Sequence, residues 1–338
     1  MSINLLRTNN KAPNRIMLNG KSIKKIMLNG EIVYENVITF TVHNDFTYNQ
    51  WATNNPNNDY THVFIENGHY GNDEEINLTD TGTKIINGES NNVYINARFK
   101  FNTIDEQSSI KNLTMDGTNV TPHFYQQYLF RNCCNLENIT ITNYNDQTEG
   151  SNHAFANYMF YNCINLHNII IENCILGGRD VGSHWRSFCG IDNLDGLIFR
   201  NNIIRTHPYV FYALFRSYDI YTCKNINNVL IENNTGTKML FLENGSLRFS
   251  NFSNIKIKVD NITDFYGLDS VDGVDNVKIC IGGGKTVHTQ IKNCNNVSNC
   301  NLTSSYVTYN NSRNNNGVLI GSNGDGESNT VSSNPCGG

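Results

Sequence analysis

The chain has 338 residues, of which 38% are hydrophobic and 16% are charged, and its formal net charge is −5. Low charge without a cluster of Lys and Arg argues against a nucleic-acid-binding surface, so we expect no nucleic acid among its partners. No apolar stretch approaches the roughly 18 residues of a membrane-spanning helix, so we expect no membrane insertion either.

Residues 1–36 contain one short sequence twice, ten residues apart. An Asn-Gly pair between apolar runs predicts a tight type I′ β-hairpin, because both turn residues must adopt a positive φ. Two hairpins of this size are too small to fold well by themselves. We therefore predict that residues 1–36 attach the chain to another protein; the alternative is that they cap the fold and cover its open edge. The residues assigned to attachment are Ile16, Met17, Leu18, Asn19, Gly20, Ile26, Met27, Leu28, Asn29 and Gly30.

Residues 37–103 contain short apolar segments separated by polar loops that are rich in Asn, Pro and Gly. The composition of the segments is typical of strands, and that of the loops is typical of turns. We predict the irregular opening coils of a repetitive fold, since terminal repeats usually deviate from the pattern. The predicted strands are Val37–Val42, His62–Ile65, Thr83–Ile86 and Val93–Phe99.

A regular repeat occupies residues 104–308. Each unit contains the pattern apolar–x–Asn–apolar–x–apolar, as in LENITI and LHNIII, and successive units are 22 to 32 residues apart. One short strand in each unit of this length predicts that the strands stack into a parallel sheet. We therefore predict a mainly β protein whose body is a right-handed parallel β-solenoid, of the β-helix or leucine-rich-repeat type. The patterns begin at Ile110, Leu136, Leu166, Leu194, Ile226, Phe252, Val274 and Val297.

Equivalent positions of successive units form columns that have a structural explanation. The apolar positions of each strand, such as Ile139 and Ile141, are predicted to face the interior. The Asn position, which is Gly196 in one unit, suits a turn because Asn tolerates the left-handed backbone conformation. Stacked Asn side chains can also form a hydrogen-bonded ladder along the solenoid axis.

The ten cysteines do not form the pattern of a disulfide scaffold or of a zinc site. Cys133 and Cys163 occupy one column of the repeat, and either Cys189 or Cys223 is a further member. We expect mostly reduced, buried thiols that act as small apolar residues. No CxxC pair occurs, so we predict no metal site, and no motif predicts another cofactor.

The composition changes in residues 309–338, which consist largely of Asn, Gly and Ser. Such a composition predicts a flexible tail in water. The apolar run Val318–Ile320 is the part of this tail that could cap the last coil.

No catalytic motif is present, so we predict no catalytic residue. The densest acidic stretch contains Asp264, Asp269, Asp272 and Asp275. Paired carboxylates on a solenoid face are typical of polysaccharide-cleaving enzymes, but turn positions explain these residues as well.

Aromatic residues in the long segments between strands are the candidates for ligand binding. Aromatic rings beside Asn side chains suit the recognition of a sugar or of a protein. The alternative is that these rings fill the core behind the second wall of the solenoid, as we predict for Phe160. The ligand-binding candidates are Tyr125, Tyr158, Trp185 and Tyr209.

Two parts of the chain resemble known families. Phe130–Ile141 and Phe160–Ile171, and more loosely Phe188–Phe199, resemble the BspA-type leucine-rich repeat, which implies an adhesin-like body. Lys25–Glu35 resembles the short openings of virion proteins from phages that infect low-GC bacteria, which implies a fibre, baseplate or head-decoration protein. The first residues lack the apolar segment and cleavage site of a secretory signal peptide, as expected of a virion protein released by lysis.

These observations lead to one hypothesis and two alternatives. The hypothesis is a non-enzymatic bacteriophage virion protein, assembled in the host cytoplasm, which docks to other virion proteins through residues 1–36. Its solenoid would serve host-surface attachment or particle decoration, its further partner would be a host-surface glycan or protein, and a homo-oligomer, specifically a trimer, is expected. The alternatives are a polysaccharide depolymerase that uses Asp269, Asp272 and Asp275, and a bacterial surface adhesin.

Overall fold

The computed structural model describes most of the repeat and the strands of the N-terminal segment. The described residues are 16–18, 21–23, 25–28, 31–35, 39–53, 62–78, 85–101, 109–118, 129–145, 158–176, 185–205, 212–217, 222–244, 249–282, 285–292, 294–303 and 330–332.

These residues form one α-helix and a succession of short strands. The strands are β1 Ile16–Leu18, β2 Lys21–Ile23, β3 Lys25–Leu28, β4 Glu31–Glu35, β5 Thr39–Val42, β6 His62–Ile65, β7 Gly68–Leu78, β8 Ile85–Gly88, β9 Val93–Phe101, β10 Ser109–Asp116, β11 Phe130–Arg131, β12 Asn135–Thr142, β13 Phe160–Tyr161, β14 Asn165–Glu172, β15 Ile175–Leu176, β16 Trp185–Cys189, β17 Asn193–Arg200, β18 Ile203–Ile204, β19 Tyr212–Ser217, β20 Lys224–Glu232, β21 Thr235–Asn244, β22 Phe249–Val259, β23 Asn261–Asp269, β24 Val271–Ile281, β25 Thr286–Lys292, β26 Asn295–Ser298, β27 Asn301–Thr303 and β28 Thr330–Ser332. The helix α1 is Asp45–Thr53.

Two parallel sheets form the body of the molecule. The larger sheet has 15 strands and follows the order β28-β27-β24-β22-β20-β17-β14-β12-β10-β8-β6-β5, with β7, β9 and β26 attached beside this path. The smaller sheet has 9 strands, β11, β13, β15, β16, β18, β19, β21, β23 and β25. Successive coils contribute strands to both sheets, which gives a β-solenoid of about 7 turns. The predicted mainly β, parallel solenoid fold is therefore confirmed.

The register of the larger sheet follows the repeat of the sequence. Each pattern start pairs with the next one along the axis, beginning with Ile110 opposite Leu136 and Leu136 opposite Leu166. The same pairing continues through Leu194, Ile226, Phe252, Val274 and Val297. The apolar positions that were predicted to face the interior are buried in every one of these strands. The sequence period therefore sets both the pairing and the core.

The smaller sheet closes the core with a column of aromatic rings. The rings of Phe130, Phe160 and Phe188 stack with centroid distances of 5.3 Å and 4.6 Å. Phe188 and Phe215 continue the stack at 5.0 Å. All four side chains are fully buried, so the prediction that Phe160 belongs to the core is confirmed.

A ladder of asparagine side chains runs along the larger sheet. Asn138 Nδ2 donates to Asn112 Oδ1 at 2.8 Å, and Asn168 Nδ2 donates to Asn138 Oδ1 at 3.0 Å. These asparagines have φ between 54° and 57°, and Gly196 replaces them in the next coil with a φ of 91°. The left-handed residue interrupts the alternation of the strand, so that Leu166 and Ile169, three residues apart, both point inward. The predicted left-handed conformation and hydrogen-bonded ladder of the Asn column are therefore confirmed, but these residues lie within the strands and not in turns that enter them.

The described cysteines are reduced, except Cys280, which is disulfide-bonded. Cys133, Cys163 and Cys223 occupy the same place in their coils. Ile191 takes this place in the coil between Cys163 and Cys223. Cys189 lies instead in a strand of the smaller sheet, opposite Tyr161. Cys223 is therefore the further member of the thiol column, and Cys189 is not.

Helix α1 closes one end of the solenoid and was not predicted. Asn44 and Thr47 cap it reciprocally, since Asn44 Oδ1 accepts from the Thr47 amide and Thr47 Oγ1 accepts from the Asn44 amide, both at 3.1 Å. Tyr48 and Trp51 project from the helix into the core and are 0% and 2% exposed. At the other end, β28 adds a last parallel strand to β27. Val318–Ile320, the run considered as a cap, lies outside the described residues.

The N-terminal segment contains two separate antiparallel strand pairs, β1 with β2 and β3 with β4. Ile16 faces Ile23 in the first pair, and Leu28 faces Glu31 in the second. The hairpin strands that were predicted around the two Asn-Gly pairs are thus present. The turn residues Asn19, Gly20, Asn29 and Gly30 lie outside the described residues, and the attachment role of the segment stays a prediction.

Candidate functional site

Two of the four predicted ligand-binding aromatics lie next to each other at the start of the smaller sheet. Tyr158 lies two residues before the first residue of β13, is partly exposed and has a φ of 54°. Its backbone amide donates to the carbonyl of Arg186, the residue that follows Trp185 in β16. The side chain of Trp185 is outside the described part, as are Tyr125 and Tyr209 entirely. The structure therefore brings the backbones of Tyr158 and Trp185 together.

Three charged side chains meet beside Tyr158. Arg186 Nη2 donates to Glu243 Oε1 at 2.8 Å, and Arg186 Nε donates to the other oxygen of the same carboxylate. Arg216 Nη1 donates to the hydroxyl oxygen of Tyr158 at 2.8 Å, and Arg216 Nε lies 3.8 Å from Glu243 Oε2. The three charged side chains are only 12% to 15% exposed, which strengthens their electrostatic interactions.

The register of the smaller sheet produces this meeting. Cys189 pairs with Arg216, and Arg216 pairs with Glu243 in the following coil, so their side chains lie in one column. Arg186 lies three residues before Cys189 and reaches across to the carboxylate of Glu243. Burial raises the pKa of Cys189 to about 11, although the neighbouring guanidinium groups of Arg216 and Arg186 act in the opposite direction. The thiol is therefore protonated at neutral pH and is not a nucleophile there.

Two further residues extend the site along the axis. The guanidinium group of Arg131 lies 5.6 Å from the ring centroid of Tyr161, and Tyr161 packs edge-to-face against Tyr158 at 5.6 Å. We call the six residues the arginine–tyrosine cluster. Its members are Arg131, Tyr158, Tyr161, Arg186, Arg216 and Glu243.

The arginine–tyrosine cluster has the chemistry of a binding site for an anion attached to a ring or chain. Two guanidinium groups lie at the carboxylate of Glu243 and a third, that of Arg131, lies over the ring of Tyr161, so the cluster contains two more positive than negative charges. Arg recognises carboxylate and phosphate groups through paired N–H donors, and the tyrosines offer flat apolar faces beside them. Hydrolysis of a glycosidic bond needs two carboxyl groups, and the described part of this cluster contributes Glu243 alone.

The acidic stretch weighed as a catalytic alternative is divided between the two sheets. Asp264 and Asp269 lie in β23 of the smaller sheet, whereas Asp272 and Asp275 lie in β24 of the larger one. Asp272 Oδ1 accepts from Asn296 Nδ2 at 2.9 Å, and Asp275 Oδ1 accepts from the Asn and Ser side chains of the next coil, each at 2.7 Å. These two carboxylates take the place of asparagines in the axial ladders, which gives them a structural role.

Sequence reasoning missed a groove on the outer face of the larger sheet. Its volume is about 560 Å³, and its floor consists of Ile170, Ile198 and Leu230 in three successive coils. The pattern carries a signal for it, because the position between the two inward residues of each strand is apolar only in NIII, GLIF and NVLI. In the units that read NITI, NIKI and NVKI, the same position is Thr or Lys.

Within the residues that the structure describes, no group of three or more His, Cys, Asp or Glu side chains is arranged to hold a metal ion. None of the helical structure described in this chain is both long and apolar enough to cross a membrane. No protein-family model, no curated protein and no solved structure matches this chain.

Proposed function

We propose that this chain is a non-enzymatic structural protein of a bacteriophage particle. Residues 1–36 attach it to other virion proteins, and the solenoid projects from the particle to contact the host surface. The observation that carries the proposal is the independence of the N-terminal hairpins, since among the described strands neither pair joins a solenoid sheet.

The closure of the first coil by α1 supports the same assignment. A solenoid end exposes its core and a row of unpaired backbone groups, so it must be covered. Tyr48 and Trp51 of α1 fill that end, which makes the hairpins unnecessary as a cap. A small hairpin pair outside the sheets gains its stability by pairing with a partner. This favours attachment over the alternative role of covering the edge.

The arginine–tyrosine cluster supports host-surface contact. The Arg and Tyr side chains of the cluster are held in place by hydrogen bonds and ring contacts, which lowers the entropy lost on binding. Four successive coils contribute to the cluster, because Arg131, Tyr161, Arg186 and Arg216 lie in the neighbouring strands β11, β13, β16 and β19 of the smaller sheet.

Deletion of residues 1–36 tests the proposal. We expect purified particles to lack the truncated protein, as measured by immunoblot against a major structural protein of the same particles. The matched control is a deletion of residues 1–14, which leaves both strand pairs intact and should be incorporated normally. Circular dichroism of the isolated truncated protein should show the solenoid folded. Normal incorporation of the 1–36 deletion would refute the attachment role.

A further inference from the structure

One outward-facing column of the larger sheet is apolar in three successive coils and carries lysine in the next two. Its members pair in sequence along the axis, from Ile170 to Ile198, then Leu230, then Lys256, then Lys278. We call these five residues the outer lane. Four strand spacings of about 4.8 Å give the lane a length of about 19 Å.

The apolar half of the outer lane lies in the groove already described. Ile170, Ile198 and Leu230 are partly exposed, whereas the residues on either side of each are buried inside the solenoid. Asn168 and Asn228 form one rim of the groove, with Gly196 between them. A Cβ atom at Gly196 would lie 3.0 Å from Asn168 Oδ1, so the glycine keeps this part of the rim low.

The next outward-facing column, two residues further along each strand, follows a rule of alternating charge. Glu172 accepts from Arg200 at 2.7 Å, and Lys258 donates to Glu232 at 3.2 Å. The same rule holds elsewhere on this sheet, where Lys111 contacts Glu137 at 2.5 Å. Opposite charges on facing positions of neighbouring strands stabilise a sheet, and like charges there destabilise it.

The cationic half of the outer lane breaks this rule. Lys256 and Lys278 face each other directly on β22 and β24, and both are at least partly exposed. Among the described residues neither lysine forms an ion pair. Their neighbours along the same column are Leu230 on one side and Asn301 on the other. Two facing lysines cost the sheet stability unless an anion binds between them.

We propose that the outer lane binds a segment of an anionic polysaccharide. The apolar floor receives the C–H faces of the sugar rings, the amide groups of Asn168 and Asn228 bind hydroxyl groups, and Lys256 and Lys278 bind the carboxylate or phosphate. A linear polymer fits a lane that runs along the axis and is open at the surface. A nucleic-acid strand fits poorly, because the floor has no aromatic platform for stacked bases.

This proposal names the ligand class for the host-surface contact proposed above and rests on it for its biological meaning. Its test uses the purified full chain in solution, so its result is independent of particle incorporation. The probes are polygalacturonate for carboxylate, poly(glycerol phosphate) for phosphate, and dextran as the neutral control. Binding is measured by microscale thermophoresis at an ionic strength of about 0.15 M, where purely long-range attraction is screened.

The wild-type chain should bind one anionic polymer and not dextran, and the polymer that binds identifies the anion. The double variant Lys256→Gln/Lys278→Gln should bind roughly tenfold more weakly, as expected for the loss of two charge-assisted contacts at an exposed site. The matched control is Lys224→Gln, which removes a lysine of the same sheet that pairs with Asp192 at 3.2 Å. It should bind as the wild type does.

A third variant, Ile198→Glu, separates the lane from a simple patch of charge. It places a carboxylate in the floor and should weaken binding at least as much as the double lysine variant. Unchanged binding by either variant, an equal loss in Lys224→Gln, or no binding to any anionic polymer would overturn the proposal. Tighter binding to a single-stranded oligonucleotide than to either anionic polymer would overturn the polysaccharide assignment. The exposed lysine substitutions keep the test decisive if Ile198→Glu does not fold.

Discussion

The asparagine ladder predicts how two substitutions at a single position will differ. Asn138 combines a left-handed backbone, with φ at 55°, with two ladder hydrogen bonds, one donated to Asn112 and one accepted from Asn168. Asn138→Gly keeps the backbone conformation and removes both hydrogen bonds. Asn138→Ala removes the same hydrogen bonds. It also places alanine in the left-handed region, where its Cβ atom is strained and it has no side-chain amide to offset that strain.

The magnitudes follow from the two contributions. Loss of two partly exposed hydrogen bonds should lower the free energy of unfolding by about 1–2 kcal/mol in Asn138→Gly. The left-handed conformation adds about 1–2 kcal/mol for alanine, so Asn138→Ala should lose about 2–4 kcal/mol. The control is Thr140→Ala, an outward position of the same strand with extended backbone, which should change the free energy by less than about 0.5 kcal/mol.

Equilibrium urea unfolding, followed by far-ultraviolet circular dichroism, measures all three variants. An alanine variant as stable as the glycine variant would show that the left-handed backbone carries no cost, and our account of the column would be wrong. A glycine variant as stable as the wild type would show that the ladder hydrogen bonds contribute nothing beyond those made to water.

Two further predictions concern the core. Burial raises the pKa of Cys174 and of Cys223 to about 12 from the ordinary 9.0, so both thiols stay protonated in the folded chain after their unfolded counterparts ionise. The contribution of these thiols to stability is complete below pH 9 and declines as the pH rises toward 12. The free energy of unfolding should therefore fall between pH 8 and pH 10.5, and it should fall less in the double variant Cys174→Ala/Cys223→Ala than in the wild type. Phe188→Ala should cost about 3–5 kcal/mol in the urea experiment, because the ring stacks on Phe160 and Phe215 and the cavity cannot collapse in a repetitive core; a loss below about 1 kcal/mol would contradict this.

The larger sheet could be predicted from the sequence because its geometry and its sequence have the same period. One strand per unit, an inward apolar pair and a left-handed Asn are local features, and stacking identical features fixes the register automatically. The pairing of Leu136 with Leu166 and Leu194 follows from alignment of the units alone. No knowledge of distant contacts is needed for this part of the fold.

The smaller sheet could not be predicted in the same way. Its strands are as short as two residues, and the segments that separate them from the larger sheet differ in length from coil to coil. The alignment therefore could not decide between Cys189 and Cys223 for the thiol column. The arginine–tyrosine cluster could not be predicted for the same reason. Arg186, Arg216 and Glu243 come from three coils, and they meet only because of the register between the strands of the smaller sheet.

Helix α1 was missed for a local reason. A capping box is recognised by Glu or Gln three residues after the cap, and here Thr47 takes that place. The apolar residues Tyr48 and Trp51 are three apart, as on one face of a helix, but α1 is too short for a period to be evident. Phe46 on the same helix is 70% exposed, which weakens the amphipathic pattern further.

The two candidate surfaces follow from what the scaffold leaves available. Inward positions are fixed by the core and left-handed positions by the turns, so only outward positions of the two sheets and the segments between them can vary in chemistry. On the larger sheet several outward charges are paired across strands, as in Glu172 with Arg200, and such pairs are explained by the stability of the sheet. Lys256 and Lys278 are not explained in this way, since their mutual repulsion would be relieved by replacing either of them. In a repetitive fold, positions that depart from the repeating pattern without a structural reason are therefore the candidates for function. The outer lane is such a departure, and it extends over five of the described strands.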